Sequence, residues 1–300
     1  MRITNPVFFD LVNLKLTKRR NLIKLNEKTR DANINVFKDT KTKIIFLEKA
    51  TRKKNYYKNI DYGNSRKKQK FFSTTRTKLK KFVTEKIDDD DRRYKQYNNL
   101  FKNKSILDFG CGTGEFLAKI KNAKLLYGVE IRKDCIKKIV RKYPNIKVYE
   151  DVKNINQKFD FITMFHVLEH IEYQIQTLKK LKFNLKNKGK LIIEVPHAND
   201  FLINIELLKD FRKFTFWSEH LVLHTEKSLR AFLKKAGFKK IDIKYFQRYP
   251  LSNHLFWIIN KRPGGHMYFK NLISKKLNNY YVDYLKESKL TDTLIAECSF

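Results

Sequence analysis

A segment with three alternating glycines, residues 107–115, constrains the fold more than any other part of the chain. It reads LDFGCGTGE, follows an apolar run at 105–109, and precedes apolar residues at helical spacing, Phe116, Leu117 and Ile120. The pattern predicts a buried strand, a tight turn and the start of a helix. Such a unit is typical of the ligand-binding corner of an open α/β sheet. Glycine suits this turn because it adopts positive φ and lets a ligand approach the backbone.

The spacing of the glycines separates two classes of ligand. A dinucleotide fingerprint would require glycine at position 115, where this chain has Glu115. The observed D-x-G-x-G-x-G instead resembles motif I of class I S-adenosylmethionine (SAM) methyltransferases. The resemblance implies SAM as cofactor, methyl transfer as activity, and a loop that passes the methionine part of SAM. The residues it places there are Asp108, Gly110, Cys111, Gly112 and Gly114. Cys111 is interpreted as a small residue that fits the loop and not as a nucleophile.

Two acidic residues follow the next predicted strands. Glu130 ends the apolar run 125–131, about twenty residues after the glycine turn, where a carboxylate can accept both hydroxyls of a ribose. The family uses an acid there in that way, which also brings Ile131 to the cofactor. After the predicted strand at 148–150, Asp151 is favoured over Glu150 as the acid that receives the adenine amino group, with Val152 beside it.

The segment FHVLEHI, residues 165–171, extends the resemblance. It is similar to the corresponding segment of family-23-like methyltransferase domains, a group that includes ubiquinone-type and sugar methyltransferases. The likeness implies that Phe165 and His166 line the SAM pocket. Residues 191–196 and 292–298 predict further strands. The expected fold class is therefore α/β, a Rossmann-like methyltransferase sheet that is mostly parallel with an antiparallel last strand.

The remaining segments predict an N-terminal extension and a C-terminal cap. Residues 1–91 are expected to form the extension, with a β-hairpin at 34–39 and 44–48 and a basic, aromatic arm at 55–76. Acidic residues 88–91 are interpreted as a breaker before a helix at 92–101. The methyltransferase domain is expected at 92–300, with a cap insertion at about 247–291. Within it, Thr225 and Gly237 are the predicted N-cap and C′ residues of a helix.

Histidines are the candidate catalytic bases. The pKa of a sugar hydroxyl lies far above 7, so a base must take its proton as the methyl bond forms, and imidazole suits that role near neutral pH. The chain has seven histidines, and five of them lie between positions 166 and 224. His170 and His220 rank first as base candidates and His197 next. For any single one of them, a packed or capping role is favoured over a catalytic one.

Composition limits the class of protein and its partners. The chain has 66 basic and 31 acidic residues, a formal net charge of +35. This excess suits an anionic partner, although a lysine-, asparagine- and isoleucine-rich composition explains it equally well. Three scattered cysteines indicate a reducing compartment, taken as the cytoplasm, and no zinc-type spacing. No metal is expected, and no run approaches the roughly 18 apolar residues of a membrane span.

Three functions remain open on the sequence. The leading interpretation is O-methylation of a sugar or glycan precursor in polysaccharide biosynthesis, with a small-molecule or nucleotide-linked sugar as acceptor. Methylation of RNA or another polyanion is the alternative, and salt-dependent RNA binding would favour it. The third is a non-catalytic interaction protein with the same fold, which failure to bind SAM would favour.

Overall fold

Two β-sheets organise the computed structural model, which describes residues 2–50, 88–269 and 271–300. The smaller sheet has the order β1-β2-β3-β9, and its strands are β1 (Leu22–Asn26), β2 (Val36–Asp39), β3 (Ile45–Leu47) and β9 (Val222–Leu223). The larger sheet has the order β10-β11-β8-β7-β4-β5-β6 and is mostly parallel, with an antiparallel strand. Its strands are β4 (Ser105–Phe109), β5 (Leu125–Val129), β6 (Ile146–Tyr149), β7 (Phe159–Phe165), β8 (Leu185–Pro196), β10 (Lys240–Phe246) and β11 (Thr293–Ser299). The α/β fold class predicted from the sequence is confirmed.

Helices connect the strands and follow them in the chain. The α-helices of the described residues are α1 (Pro6–Asn13), α2 (Asp89–Phe101), α3 (Glu115–Lys119), α4 (Lys133–Lys142), α5 (Gln174–Phe183), α6 (Phe201–Asn204), α7 (Lys209–Thr215), α8 (Glu226–Lys235), α9 (Leu251–Asn260), α10 (Gly265–Tyr268) and α11 (Lys275–Glu287). None of these helices is long and apolar enough to cross a membrane. The predicted basic arm at 55–76 lies outside the described residues.

The chain divides into two compact units, each assembled from separate stretches of sequence. The first contains residues 2–50, 166–179 and 193–298, and the second contains residues 88–165, 180–192 and 299–300. The sequence-based division at residue 91 stays a prediction.

The predicted hairpin near the N-terminus is confirmed in the first unit. Strands β2 and β3 pair antiparallel with Val36 opposite Leu47. Asp39 stabilises the turn between them, since one of its carboxylate oxygens accepts from the backbone N–H groups of Lys41 and Thr42. β3 also pairs with β9. The Asn5 side-chain amide donates to the carbonyl oxygens of Leu47, at the end of β3, and Leu221, just before β9.

The second unit places the carboxyl ends of its parallel strands at one edge. β4 pairs with β5 and with β7, so that Asp108 lies opposite both Gly128 and Thr163, and β5 pairs with β6. The first four residues of strand β4 are all buried, which explains why its apolar residues Ile106 and Leu107 are consecutive and do not alternate with exposed ones. Ligands of open α/β sheets bind outside this edge.

Two boundaries differ from the prediction for local reasons. The acids at 88–91 start helix α2 and do not interrupt the chain before it, because the Asp88 side chain accepts from the Asp91 N–H and the next acids lie in the favourable first turn. Strand β8 begins at Leu185, six residues before the strand predicted at 191–196. Gly189 permits this pairing, since a Cβ there would lie 2.8 Å from the Phe159 carbonyl oxygen.

The helix predicted after Thr225 is confirmed with its caps. Thr225 and Ser228 form a capping box at the start of α8. Gly237 follows the helix with φ +95°, the left-handed conformation in which glycine is favoured.

Candidate functional site

The glycine loop between β4 and α3 has the conformation that its sequence demands. Gly110, Gly112 and Gly114 have φ values of +81°, +57° and +76°. Residues other than glycine rarely adopt these backbone angles. The backbone N–H groups of Gly110 and Cys111 donate to the Val129 carbonyl oxygen at 2.8 and 3.1 Å. The loop is therefore fixed to the carboxyl end of β5.

Cys111 packs into the sheet and does not act as a reactive thiol. Its side chain is buried against Gly128, where an added Cβ would lie 2.5 Å from the Cys111 sulfur. Burial raises the pKa of the Cys111 thiol well above its ordinary value, and the neighbouring carboxyls of Asp108 and Glu130 add to the rise. The thiol stays protonated at neutral pH, consistent with the structural interpretation made from the sequence.

Glu130 joins the end of β5 to the glycine loop. Its Oε2 accepts from the Gly112 N–H at 2.9 Å, and its Oε1 accepts from the Arg132 N–H at 3.0 Å. The Arg132 guanidinium adds a bidentate pair, from Nε to Oε1 and from a terminal nitrogen to Oε2, both at 3.1 Å. The carboxylate is almost completely buried. Sequence reasoning identified Glu130 but missed Arg132, whose position two residues further along the chain was the available signal.

Asp108 is a buried carboxyl behind the glycine loop. The Thr163 hydroxyl, on the neighbouring strand β7, donates to Asp108 Oδ1 at 2.7 Å. Burial raises the pKa of Asp108 to about 7, against the lowering effects of that hydrogen bond and of the nearby Arg93 guanidinium. Asp108 thus contributes to the framework of the loop. No sequence pattern pointed to Thr163 or Arg93 as its partners.

The other predicted cofactor residues of the second unit lie just beyond the ends of β5 and β6 and at the last position of β7. Ile131 follows Glu130 and is 39% exposed, whereas Val152 is buried. The Asp151 side chain accepts from the Lys153 N–H and caps a short 3-10 turn, Val152–Asn154. The Arg93 guanidinium lies over the Phe165 ring, 4.6 Å from the ring centroid.

The corner fits the SAM that the sequence resemblance implies. Three positions of the loop are glycines, so no side chain blocks the approach of a ligand to the backbone there. The Glu130 carboxylate lies beside the loop. These residues would hold the methionine and ribose parts of SAM, and Asp151 would meet the adenine. When bound, SAM supplies an electrophilic methyl group on a sulfonium.

A cluster of histidines and glutamates lies in the first unit, directly after Phe165 in the chain. His166 has a positive φ of +53°, which is uncommon for a residue with a side chain. Its Nε2 lies 3.0 Å from Glu194 Oε1 and its Nδ1 lies 3.4 Å from Glu169 Oε1. Burial and Arg248 lower the pKa of His166, but the two glutamates outweigh them and raise it above its ordinary value.

His170 and His220, the two leading base candidates, lie together in this cluster. Their ring centroids are 4.8 Å apart in an edge-to-face arrangement. His170 Nε2 lies 3.9 Å from Glu169 Oε1. Burial alone would raise the pKa of Glu169, yet the histidines around it hold that pKa at about 2. Sequence reasoning ranked the two histidines and missed Glu169, which lies beside them.

The expectation of no metal stays a prediction at this cluster. It rested on the absence of paired cysteines, but a site can also be built from histidine and carboxylate ligands. Glu169, His170 and His220 each offer a ligand atom, and these atoms lie within 4.8 Å of one another. The sequence signal was the Glu-His pair at 169–170, which needs a distant third ligand that only the fold provides.

His197, the third base candidate, does not lie with the other two. It is 2% exposed, and its Nδ1 lies 2.8 Å from the Thr291 carbonyl oxygen. Burial lowers the pKa of His197 to about 4, against the effects of the Thr291 carbonyl and Glu226. This environment favours a neutral, structural histidine.

Comparison with known proteins identifies the family. Residues 79–243, more than half of the chain, match the family described as methyltransferase domain. An uncharacterized protein of Methanocaldococcus jannaschii is 34% identical over 139 residues, which are 45% of this chain and 64% of that protein. A tRNA U34 carboxymethyltransferase of Aliarcobacter butzleri is 27% identical over 171 residues, 49% of this chain and 51% of that protein.

Two further similarities are more limited. The mitochondrial ubiquinone biosynthesis O-methyltransferase of Candida albicans is 29% identical over 125 residues, 37% of this chain and 38% of that enzyme. The chain thus covers less than two thirds of the length of each of these three relatives. A SAM-dependent methyltransferase structure from Archaeoglobus fulgidus has a TM-score of 0.48 at 20% identity, covering 70% of this chain and 92% of that one. The family match over 79–243 establishes that this chain belongs to the methyltransferase domain family of SAM-dependent enzymes.

Proposed function

We propose that the protein transfers the methyl group of SAM to a hydroxyl oxygen of a sugar or glycan precursor. The observation that carries the SAM half of this proposal is the hydrogen bond between Gly112 and Glu130, which joins the glycine loop to the ribose-type carboxylate. The acceptor half rests on the histidine–glutamate cluster that follows β7 and on the likeness of FHVLEHI to sugar methyltransferases.

The proposed reaction is a displacement at the sulfonium methyl carbon. The S–CH₃ bond breaks as the O–CH₃ bond forms, SAM becomes S-adenosylhomocysteine, and the hydroxyl proton leaves the acceptor. Positioning of the two reactants assists such a step. Exclusion of water assists it too, because the positive charge of the sulfonium is more dispersed in the transition state than in SAM.

The acceptor proton requires a group of suitable basicity. His170 and His220 are the proposed groups, since both are part-buried imidazoles beside the fully buried Glu169 carboxylate. The carboxylate favours an imidazolium that forms when a proton is taken up, as an orienting acid does in other catalytic sites. His197 stays a lower-ranked proposal because of its buried environment.

Methylation of RNA is the second candidate. The formal charge of +35 suits a polyanion, and two of the similar proteins are tRNA U34 carboxymethyltransferases. In this case binding should weaken steeply with salt, because each neutralised phosphate releases a counterion. A sugar acceptor without phosphates would show little salt dependence.

The test is a methyl-transfer assay with radiolabelled SAM on the full chain. Nucleotide sugars, deproteinised glycans and total tRNA are offered separately at low and high salt, and Glu130→Ala serves as the inactive comparison. Label on a sugar fraction supports the first candidate, and label on tRNA overturns it in favour of the second. If wild-type protein fails to bind S-adenosylhomocysteine in a calorimetric titration, the catalytic proposal is wrong and an interaction role replaces it.

A further inference from the structure

Glu169 is a buried carboxylate whose oxygens accept no hydrogen bond of good geometry. It is 0% exposed, and His166 Nδ1 approaches its Oε1 only to 3.4 Å. Buried carboxylates normally accept several hydrogen bonds or bind a cation, because leaving them unsatisfied costs several kcal/mol. The surroundings of Glu169 therefore point to a cationic ligand.

Two histidines close to Glu169, His170 and His220, are suitable partners for such a ligand. Glu169 and His170 lie on one short 3-10 turn, Leu168–His170, and His220 precedes strand β9. The Leu221 N–H donates to the Glu169 carbonyl oxygen at 2.9 Å, which fixes the two segments to each other. The backbone thus holds three potential ligands from two segments in one place.

The separations match a site that closes on a small ion. The ligand atoms of Glu169, His170 and His220 lie within 4.8 Å of one another. In a tetrahedral zinc site with bonds of about 2.0–2.1 Å, ligand atoms lie roughly 3.4 Å apart. Modest side-chain rotation would supply the difference, since the Glu169 and His170 atoms are already 3.9 Å apart.

The outer partners of these side chains also suit a metal site. His170 presents Nε2 toward Glu169, while its Nδ1 lies 4.0 Å from a Glu219 carboxylate oxygen. Metal-bound histidines usually direct their second ring nitrogen to a carboxylate or carbonyl, which fixes the ring and increases its basicity. Glu219 is placed for that role.

We infer that Glu169, His170 and His220 bind a divalent transition-metal ion, for which Zn²⁺ is the favoured species. Two imidazoles and one carboxylate suit zinc better than magnesium, which prefers oxygen ligands. Three protein ligands leave a coordination position open, as in catalytic rather than structural zinc sites. With the ion bound, His170 and His220 hold the metal and no longer act as proton acceptors; a hydroxyl oxygen at the open position would instead lose its proton to solvent more readily. Only this use of the metal rests on the proposed function.

Metal binding is measured on the full chain, purified without a histidine tag and stripped with a chelator. ZnCl₂ and MgCl₂ are titrated separately by calorimetry, and retained zinc is quantified by mass spectrometry after gel filtration. We expect about one zinc per chain, no comparable magnesium binding, and at least tenfold weaker zinc binding in His220→Ala and Glu169→Gln. Wild-type protein without stoichiometric zinc, or His220→Ala with wild-type affinity, would overturn the inference.

His254→Asn is the matched control for effects on folding. His254 is also a buried histidine of the first unit, but its ring nitrogens face Gln247 and Tyr281. This variant should keep its zinc even if its thermal stability falls. If His220→Ala does not fold, the test is the visible absorption spectrum of the wild type loaded with Co²⁺. Absence of the absorption bands of tetrahedral Co²⁺ with nitrogen and oxygen ligands would contradict the site. S-adenosylhomocysteine titration of the metal-free protein tests the cofactor site separately.

Discussion

The Arg132 guanidinium donates to both carboxylate oxygens of Glu130, at 3.1 Å in each case. Backbone N–H groups of Gly112 and Arg132 donate to the same two oxygens. An ionised carboxylate offers about four acceptor positions, so these four hydrogen bonds saturate it. The hydroxyls of a ribose can bind Glu130 only where a present donor leaves, and among these four donors only the two of the Arg132 guanidinium belong to a side chain.

Arg132→Ala should therefore bind S-adenosylhomocysteine more tightly than the wild type. The variant removes a bidentate, charge-assisted pair that the ribose hydroxyls would otherwise have to displace. We expect a dissociation constant about three- to tenfold lower, measured by isothermal titration calorimetry. The backbone donors to Glu130 remain, so the carboxylate keeps its orientation.

Arg141→Ala is the control for the change in net charge. Arg141 lies on the exposed face of α4 and has no part in the Glu130 network. The affinity of Arg141→Ala for S-adenosylhomocysteine should equal that of the wild type. Weaker binding by Arg132→Ala would mean that the guanidinium contacts the ligand and does not compete with it.

Gly128→Ala should destabilise the second unit through its contact with Cys111. An added Cβ would lie 2.5 Å from the Cys111 sulfur, a distance that real Cβ atoms do not adopt. Overpacking of this kind costs about 1–3 kcal/mol in the free energy of unfolding. Adding Cys111→Ala removes the sulfur and should restore most of that loss. Urea denaturation of both single variants and the double variant measures the coupling, and strictly additive losses would show that the two sites do not interact.

The part of the fold that follows from local pattern was predictable. The strand at 105–109, the glycine turn and Glu130 appear where the sequence places them, because each depends on residues close together in the chain. The Thr225 cap belongs to the same class. Asp88 shows the limit of local reasoning, since the same acidic run can break a chain or cap a helix, and only the helix that follows decides.

The contents of the candidate sites were less predictable, because they depend on residues distant in sequence. Glu169 follows His166 by three residues, but Glu194 is 28 positions away and meets His166 only because β8 lies beside β7 in the sheet. A list of histidines could not show that His220 joins His170 while His197 is buried near Thr291. Arg132 was missed for another reason, since a basic residue after a strand is ordinarily solvated in a chain this basic.

Asp108 should make the stability of the wild type fall between pH 4 and pH 7. Burial raises its pKa from 3.8 to about 7 in the folded protein, so the folded state holds this proton more strongly than the unfolded chain. The resulting stabilisation is present in full below pH 3.8 and is lost as the pH rises through about 7. Asp108→Asn keeps an acceptor for Thr163 and cannot ionise.

The measurement is the free energy of unfolding of wild type and Asp108→Asn across this pH range. The difference between them should change by up to roughly 4 kcal/mol in favour of the variant as the pH rises from 4 to 7. Asp200, whose pKa burial also raises to about 7, is present in both proteins and cancels in the difference. A difference that is constant with pH would contradict a buried, protonated Asp108.

Asp160 should show the opposite dependence on pH. Its Oδ2 accepts from the Ser105 N–H and hydroxyl and from Lys186, at 2.7–2.8 Å, at the start of strands β4, β7 and β8. Burial acts to raise its pKa, but these donors outweigh it and lower the pKa from 3.8 to about 2. The stabilisation is therefore present above pH 3.8 and is lost as the pH falls through about 2.

Asp160→Asn should cost about 2 kcal/mol at pH 7 by urea denaturation, with a loss that shrinks progressively below pH 4. Asp242→Asn, which removes a carboxylate that is 64% exposed and paired with Lys244, should change stability little at either pH. An Asp160→Asn loss of equal size at pH 7 and pH 2.5 would show that the carboxylate charge contributes nothing and that only the shape of the side chain matters.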